Sequence, residues 1–166
     1  MIKTNKILIS ITALMFSVNV LFAQREKLYN PDADAVVQFS EALSKAATEK
    51  KHVLVQVGGN WCKWCYRFQD FIKNNPELDS LMNADFVTVH INYSKENKNL
   101  PLLETFSYPQ RFGFPVFLIF NINGERIHTQ SSWFLEDGKE SYDVEKVKAF
   151  LKDWNTSALN PENYKD

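Results

Sequence analysis

Residues 53–65 have the sequence VLVQVGGNWCKWC, and this stretch decides the fold. Its first part is apolar and rich in β-branched side chains, which predicts a buried strand over residues 52–57. Gly58, Gly59 and Asn60 then break the strand, and a helix follows with apolar residues at helical spacing. The apolar positions of that helix are Trp61, Cys65, Phe68 and Ile72. A Cys-x-x-Cys pair therefore stands where a strand passes into a helix.

Helices and strands alternate along the rest of the chain. Helical periodicity predicts four further helices, at Asp34 to Lys51, Glu77 to Ala84, Leu100 to Phe106 and Val144 to Trp154. Apolar or β-branched runs predict three further strands, at Phe86–Ile91, Pro115–Phe120 and Glu125–Gln130. A hairpin turn at Asn123-Gly124 joins the last two strands. This order is typical of an α/β fold in which helices cover both faces of a central sheet.

The composition limits the classes of function. The chain has 166 residues, of which 45% are hydrophobic, 14% aromatic and 23% charged, as suits a single globular domain. The 19 basic and 20 acidic residues give a net charge of −1, so no nucleic-acid partner is expected. The sequence has neither GxGxxG nor GxxxxGK[ST], and its two cysteines exclude a disulfide framework and a four-cysteine zinc site.

Residues 1–23 have the pattern of a secretory signal peptide. Two lysines precede an apolar run that ends at Phe22, and Ala23 stands at the expected cleavage site. We expect an exported chain, periplasmic or secreted, that begins at Gln24 and is not stably inserted in a membrane; an uncleaved N-terminal anchor is the alternative. Export would place the two cysteines in an oxidising compartment. The mature chain is expected to comprise a polar lead-in over residues 24–34, one domain over 35–155 and a polar tail over 156–166.

The cysteine pair is placed for thiol chemistry. A thiolate is the reactive form of cysteine, and the N-terminus of a helix stabilises negative charge. Cys62 would lie at that N-terminus with its sulfur partly exposed, and Lys63 would add a positive charge beside it. Cys65 would lie on the same face of the helix, more buried and within reach of Cys62. From there it can attack a mixed disulfide from inside the protein.

Two other uses of the pair remain open. A purely structural disulfide is one, although so short a loop would contribute little to stability through chain entropy. Metal binding is the other, although His52, His90 and His128 are predicted on or beside strands without a partner spacing. Two cysteines alone leave a zinc site short of ligands. We therefore expect no metal and no cofactor, since the cysteines themselves carry the electrons.

Several segments together resemble the thioredoxin family. Residues 53–57 followed by 61–65 resemble its second strand and the start of its active-site helix. Residues 113–116 resemble the segment that carries its cis-proline, and residues 120–125 resemble its terminal hairpin. The similarity extends over about residues 35–154 and is nearest to exported bacterial thioredoxin-like domains that begin with a helix. It implies a thioredoxin-like fold, with a mostly four-stranded mixed sheet flanked by helices on both faces, and thiol–disulfide exchange.

The resemblance also implies a role for each residue of the site. Cys62 attacks a substrate disulfide, and Cys65 resolves the mixed disulfide that forms. Pro115, expected in a cis bond with Phe114 that faces the pair, docks an extended substrate chain. The aromatic residues expected to line the same place are Trp61, Trp64 and Phe114.

Three positions depart from the family pattern. The dipeptide between the cysteines is Lys63-Trp64, where the family often has Gly-Pro, Gly-His or Pro-His, and this dipeptide tunes the redox potential in the family. Gln56 stands where the family places an aspartate in the strand before the motif. Gly58-Gly59 replaces bulkier residues, and we expect it to loosen the approach to the motif.

The thiol of Cys65 must lose its proton before it can attack. Strand alternation puts Gln56 on one face of its strand and His90 on one face of the next strand. Gln56 cannot accept a proton at neutral pH, whereas His90 can, because its reference pKa is about 6.5. Our hypothesis is that His90, through a water, assists deprotonation of Cys65 while Gln56 orients it. The alternative is a core histidine with one hydrogen-bond partner.

The leading interpretation of the whole chain is an exported thiol–disulfide oxidoreductase. It would exchange disulfides with protein thiols and disulfides, and with a redox partner protein, through Cys62 and Cys65. The alternative is a non-catalytic module of the same fold that binds client chains and holds a structural disulfide. Its contact surface would be the loop Ser131–Tyr142, with the aromatic residues Trp133, Phe134 and Tyr142. We expect these aromatic residues instead to pack onto the final helix.

Overall fold

The computed structural model describes residues 25–165, and the expected signal segment, residues 1–23, lies outside the described residues. The helices and strands are, in chain order, α1 (Ala35–Glu49), β1 (His52–Gly58), α2 (Lys63–Lys73), α3 (Pro76–Asp85), β2 (Phe86–Asn92), α4 (Leu100–Thr105), β3 (Val116–Phe120), β4 (Arg126–Ser131) and α5 (Val144–Asp153). Short 3-10 helices lie at Pro109–Phe112, Ser132–Leu135 and Pro161–Tyr164. Within residues 25–165, no helix has the length and apolar character needed to cross a membrane.

The strands form one four-stranded mixed sheet in the order β2-β1-β3-β4. β1 is parallel to β2 and antiparallel to β3, and β4 is antiparallel to β3. The hairpin between β3 and β4 turns at Asn123-Gly124, where Gly124 has the left-handed φ of 78° that favours glycine. The predicted mixed sheet of four strands is confirmed.

Helices cover both faces of the sheet because side chains alternate along each strand. Val53, Val55 and Val57 of β1 lie in the core that α1 and α4 complete. Leu54 lies in the core on the other face, which α2, α3 and α5 complete. Gln56 shares the face of Leu54 and is buried against α2, where its amide reaches the backbone of Cys65. The sheet therefore presents a polar side chain to the inner face of α2.

The start of α2 differs from the sequence-based expectation. Trp61 precedes the helix instead of belonging to its apolar stripe, and it is 57% exposed. The helix begins at Lys63 because Cys62 is its N-cap and has an extended backbone. The other apolar positions, Cys65, Phe68 and Ile72, are buried as predicted.

Candidate active site

Cys62 and Cys65 are joined by a disulfide at the N-terminus of α2. The Sγ of Cys62 accepts a hydrogen bond of 3.1 Å from the backbone N–H of Cys65. The first N–H groups of a helix have no partner within the helix, so this position stabilises negative charge on the Cys62 sulfur. Lys63 is exposed at the first position of the helix and adds a positive charge there.

The two cysteines differ in burial, but less than expected. Cys65 is fully buried, as predicted, and Cys62 is 4% exposed in the disulfide form. The prediction of a partly exposed Cys62 sulfur is wrong for this form. The physical reason is a set of side chains that pack around the pair: Leu28, Tyr29, Trp64 and Phe114.

An aromatic rim, which we define as Trp61, Tyr93 and Phe114, borders the Cys62 side of the disulfide. The indole N–H of Trp61 donates a hydrogen bond of 2.7 Å to the backbone oxygen of Tyr93. The Phe114 ring lies 5.2 Å from the Trp61 ring and 4.9 Å from the Tyr93 ring. The Phe114–Pro115 bond is cis, which confirms the prediction for this bond.

Trp64 packs against the cysteine pair and also contacts Tyr142, in the loop that precedes α5. It is half-buried, its ring lies 5.5 Å from that of Tyr142, and the guanidinium of Arg67 lies 4.7 Å above it. The hydroxyl of Tyr142 donates a hydrogen bond of 3.1 Å to the backbone oxygen of Trp64. Trp64 thus packs against both the cysteine pair and the loop that precedes α5.

The Cys65 side of the disulfide is closed by a residue that the sequence analysis did not single out. Tyr29 is 1% exposed and reaches the site from the lead-in before α1. Its hydroxyl oxygen accepts a hydrogen bond of 2.8 Å from Gln56 Nε2, which also donates to the backbone oxygen of Cys65 at 3.4 Å. The only signal in the sequence was the apolar pair Leu28-Tyr29 inside an otherwise polar segment.

Because Gly58 has no Cβ, the Cys65 sulfur and the Tyr29 hydroxyl can lie close to the backbone of β1. The expectation that Gly58-Gly59 loosens the approach to the motif is therefore wrong. A Cβ at Gly58 would lie 2.6 Å from the Tyr29 hydroxyl oxygen and closer still to the Cys65 Sγ. Any larger residue at this position would clash with the Cys65 sulfur and the Tyr29 phenol where they pack against β1. A Cβ at Gly59 would likewise collide with the Trp61 indole and the Tyr93 backbone oxygen.

His90 lies beside Gln56 on the same face of the sheet, as the hypothesis of an assisting histidine requires. The two residues are partners in the parallel register of β1 and β2. The His90 ring lies edge-on to that of Tyr29 at 5.4 Å, and its Nε2 is buried without a hydrogen-bond partner among the described residues. Burial, and secondarily the charge of Lys73, lower the pKa of His90 to about 4. The ring is therefore neutral at pH 7, and its role as an acceptor for the Cys65 proton stays a prediction.

The loop 131–142 exposes two aromatic side chains beside Pro115. Trp133 and Phe134 are 74% and 69% exposed, so the expectation that they pack onto the final helix is wrong. Their 3-10 helix is held at the site, since the Ser132 N–H donates to the backbone oxygen of Pro115 at 3.3 Å. Tyr142 is buried, but it packs against Trp64 and Phe68 of α2.

Potential metal ligands are dispersed. Among residues 25–165, no group of three or more His, Cys, Asp or Glu side chains is placed to hold a metal ion. His52 makes a hydrogen bond of 2.8 Å to the backbone oxygen of Trp154, and the His128 ring stacks on the Trp154 ring at 4.0 Å. These two histidines therefore serve the packing of the chain after α5.

Comparison with curated proteins finds relatives that share parts of this chain. It is 26% identical over 123 residues to the disulfide bond reductase DsbH of Chlamydia pneumoniae, a match that covers 69% of this chain and 70% of that protein. It is 35% identical over 63 residues, 38% of its length, to spermatogenesis-associated protein 20 of Homo sapiens. That match covers 8% of the human protein, so the chain spans less than a tenth of that relative's length.

A solved structure and a family model are both similar to this chain. The structure superposes on the disulphide isomerase from Xylella fastidiosa Temecula1 with a TM-score of 0.68, at 23% identity, over 78% of this chain and 98% of the other. This similarity shows a shared fold. The model of a thioredoxin-like family matches residues 34–121, slightly more than half of the chain, including the cysteine pair and the cis-proline. From this match we conclude that the chain belongs to the thioredoxin-like family.

Proposed function

We propose that the chain is a thiol–disulfide oxidoreductase that acts on protein disulfides through Cys62 and Cys65. The observation that carries the proposal is the disulfide at the N-terminus of α2, with Cys62 as the N-cap beside the rim that contains Phe114. A relative that is a disulfide bond reductase and a structural neighbour that is a disulphide isomerase support the same chemistry.

The reduced protein would act in two steps. The Cys62 thiolate attacks one sulfur of a substrate disulfide, so that a Cys62–substrate disulfide forms and the other substrate sulfur leaves as a thiolate. Cys65 then loses its proton to water and attacks the Sγ of Cys62. This step forms the Cys62–Cys65 disulfide and releases the second substrate thiolate. Two electrons pass from the protein to the substrate, and the reverse sequence oxidises a dithiol.

The electrostatics of α2 favour Cys62 as the first nucleophile. Its Sγ accepts a backbone hydrogen bond at the helix start, and Lys63 lies next to it. Both features stabilise a thiolate relative to a thiol, and so lower the pKa of the Cys62 thiol in the reduced protein. Cys65 lies one turn into the helix, out of reach of solvent.

A substrate chain would lie across the Cys62 side of the pair. Trp61 is exposed there, Phe114 packs against it, and Pro115 follows directly. An extended peptide could contact this rim while its disulfide reaches Cys62. Trp64 also packs against the pair and would give the peptide a further aromatic contact.

Reduction of insulin by a small-molecule thiol tests the proposal. The wild-type protein should accelerate precipitation of the reduced insulin chains, and Cys62→Ser should abolish the acceleration. The chain has only two cysteines, and the one that remains in this variant, Cys65, is fully buried, so no second sulfur is placed to replace Cys62 as the nucleophile. A wild type without acceleration, or a Cys62→Ser variant with full activity, would contradict the proposal.

A client-binding module without turnover is the second candidate function. The exposed pair Trp133 and Phe134, held beside Pro115, favours it, because exposed aromatic side chains are frequent in binding surfaces. One comparison distinguishes the two functions. If the chain is a binding module, the wild type and the Cys62→Ser variant suppress aggregation of an unfolded client equally well. An oxidoreductase loses its effect on a disulfide-bonded client in the variant.

The direction of electron flow follows from the reduction potential of the Cys62–Cys65 pair. A value of about −270 mV indicates a reductant, and one of about −120 mV indicates an oxidant. Equilibration with glutathione buffers of known ratio measures it. The same value indicates whether the redox partner protein donates or accepts electrons.

Export is part of the proposal. It is supported by the charged start and apolar run of residues 1–23, which lie outside the described residues. Mass spectrometry of the protein from the exported fraction should give a chain that begins at Gln24. An intact Met1 in that fraction would favour an uncleaved anchor.

A further inference from the structure

Tyr29 is a buried tyrosine that the two-step mechanism does not yet use. It lies outside the sheet and its covering helices, yet only 1% of it is exposed. Its ring packs with Cys62 and Cys65 in one cluster. A residue of the lead-in therefore forms part of the wall of the disulfide site.

Hydrogen bonds tie Tyr29 to the motif itself. Its backbone N–H donates to Asn60 Oδ1 at 3.1 Å, and Asn60 Nδ2 donates to its backbone oxygen at 2.8 Å. The Tyr66 hydroxyl of α2 donates to the same Asn60 oxygen at 2.9 Å. Because Asn60 stands two positions before Cys62, the position of Tyr29 is fixed relative to the disulfide.

The Tyr29 hydroxyl lies close to the sulfur of Cys65. The hydroxyl oxygen is 2.6 Å from the point where a Gly58 Cβ would be, and the Cys65 Sγ is closer to that point. The two atoms are therefore at most about 5 Å apart. Gln56 Nε2 donates to the same oxygen at 2.8 Å, which leaves the hydroxyl hydrogen of Tyr29 to be donated to another atom.

The protonation state of Tyr29 fits a donor and not a base. Burial is the main cause that raises the pKa of its hydroxyl above the ordinary value of 10.0, and the nearby Tyr66 contributes in the same direction. The hydrogen bond from Gln56 opposes this shift. The hydroxyl thus keeps its hydrogen throughout the pH range in which thiols exchange.

We propose that Tyr29 assists the second step by donating a hydrogen bond from its hydroxyl to the Cys65 sulfur when that sulfur becomes a thiolate. This inference rests on the proposed oxidoreductase function. A thiolate in an apolar site is costly, and a charge-assisted hydrogen bond from a buried donor offsets part of that cost. Tyr29 keeps its own proton, and the proton of Cys65 passes to water. Gln56 supports the donor by holding the phenol oxygen.

A single-turnover reaction with one equivalent of dithiobis(nitrobenzoate) separates the two steps. Attack by Cys62 releases the first coloured thiolate at a rate proportional to the reagent concentration. Attack by Cys65 on the mixed disulfide releases the second thiolate at a rate independent of that concentration. The first phase reports the proposed function, and the second phase reports the role of Tyr29.

The decisive variant is Tyr29→Phe, which removes the hydroxyl and keeps the ring. We expect the first phase to change less than about twofold and the second phase to slow by about three- to tenfold at pH 7. The rate of the second phase increases with pH, and the midpoint of this increase should move up by about one pH unit in the variant. The rates of wild type and variant should therefore converge at high pH. A merely structural role would not move that midpoint.

Tyr66→Phe is the matched control. It removes a neighbouring hydroxyl that also binds Asn60, but the hydroxyl of Tyr66 is directed to Asn60 and not to the Cys65 sulfur. In the Tyr66→Phe variant, the second phase should keep the wild-type rate and the wild-type midpoint of its pH dependence. A direct titration adds a second measurement: in a Cys62→Ala background, the thiolate absorbance of Cys65 should titrate about one unit higher with Tyr29→Phe than without it.

The proposal is overturned if Tyr29→Phe leaves the second phase and the Cys65 titration unchanged, or if Tyr66→Phe shifts both equally. Slowing by His90→Phe without slowing by Tyr29→Phe would likewise overturn it and would favour the histidine as the assisting group. A wild type that releases no second thiolate contradicts the oxidoreductase function itself, which is a separate outcome.

Discussion

The two sulfurs of one disulfide have different surroundings. Cys62 lies at a helix N-terminus beside the rim of Trp61, Tyr93 and Phe114, where Trp61 is exposed to solvent. The environment of Cys65 is closed, because Gly58 of β1 and Tyr29 of the lead-in meet at its sulfur. In the proposed mechanism, the substrate contacts the Cys62 side, and the closed Cys65 side excludes it.

The spacing of a Cys-x-x-Cys motif therefore does not by itself determine which cysteine attacks and which resolves. The helix start supplies the electrostatic part of the asymmetry through backbone N–H groups. The steric part comes from residues distant in sequence, since Tyr29 lies 31 residues before Asn60, the residue that holds its backbone.

Cys65→Ser should have the largest effect. The Cys62 side would still attack a disulfide, but nothing on the Cys65 side could resolve the product. We expect turnover to fall by at least about a hundredfold and a stable mixed disulfide to accumulate with a disulfide-containing peptide. Mass spectrometry without reductant checks for the adduct. If Cys65→Ser turned over at the wild-type rate, the resolving role would belong to another group.

The pH dependence of stability should report His90, on the Cys65 side. Burial holds the pKa of His90 at about 4 in the folded protein, below its ordinary value of 6.5, so between these two values the unfolded chain binds a proton that the folded chain does not. The free energy of unfolding should therefore decrease as the pH falls from 6.5 towards 4, by at most about 3 kcal/mol.

Urea unfolding of wild type and His90→Phe at several pH values measures this contribution. The difference between the two proteins removes the contribution of the carboxylates common to both. The wild type should lose more stability than the variant over that range. Parallel pH profiles would show that His90 is not held neutral by burial.

Gly58→Ala should crowd the Cys65 side directly. The added Cβ would collide with the Cys65 Sγ and the Tyr29 hydroxyl, so a strand, a helix or the lead-in must shift. We expect a loss of about 1–3 kcal/mol in the free energy of unfolding of the oxidised protein. Denaturant titration measures it. A variant as stable as wild type would mean that the close approach at Gly58 is easily relaxed.

Trp133→Ala should have the smallest effect on the free energy of unfolding. Any effect on activity should be on the binding of protein substrates. The side chain is largely exposed, so the free energy of unfolding should change by less than about 0.5 kcal/mol. If Trp133 contacts substrate chains, the KM for a protein disulfide should rise a fewfold while the reaction with dithiobis(nitrobenzoate) stays the same. Equal KM values for wild type and variant would remove Trp133 from the substrate surface.

Local patterns predicted most of the fold. The apolar run before the motif, the helical periodicity and the Asn123-Gly124 turn predicted the bounds of the strands and helices to within one or two residues. Alternation predicted which side chains share a face within each strand, and the parallel register of β1 and β2 then places Gln56 beside His90. These features depend on near neighbours or on regular periodicity.

The surroundings of the pair depended on contacts that no local pattern encodes. Tyr29 lies in a short polar segment with no periodicity, so nothing in the sequence linked it to Cys65. The glycine at position 58 suggested that the chain before the motif packs loosely. In the structure its missing Cβ instead lets the Cys65 sulfur and the Tyr29 hydroxyl pack closely against β1. The exposure of Trp133 also escaped prediction, because an aromatic residue in a loop is as compatible with packing as with solvent.

Alkylation of the fully reduced protein tests the asymmetry between the two sulfurs most directly. Iodoacetamide is added over a range of pH values, and peptide mapping gives the labelling rate of each cysteine. We expect Cys62 to be labelled at least about tenfold faster near neutral pH, with a thiol pKa below the reference value of about 8.5, while Cys65 reacts slowly throughout. Equal labelling of the two cysteines, or faster labelling of Cys65, would contradict this expectation.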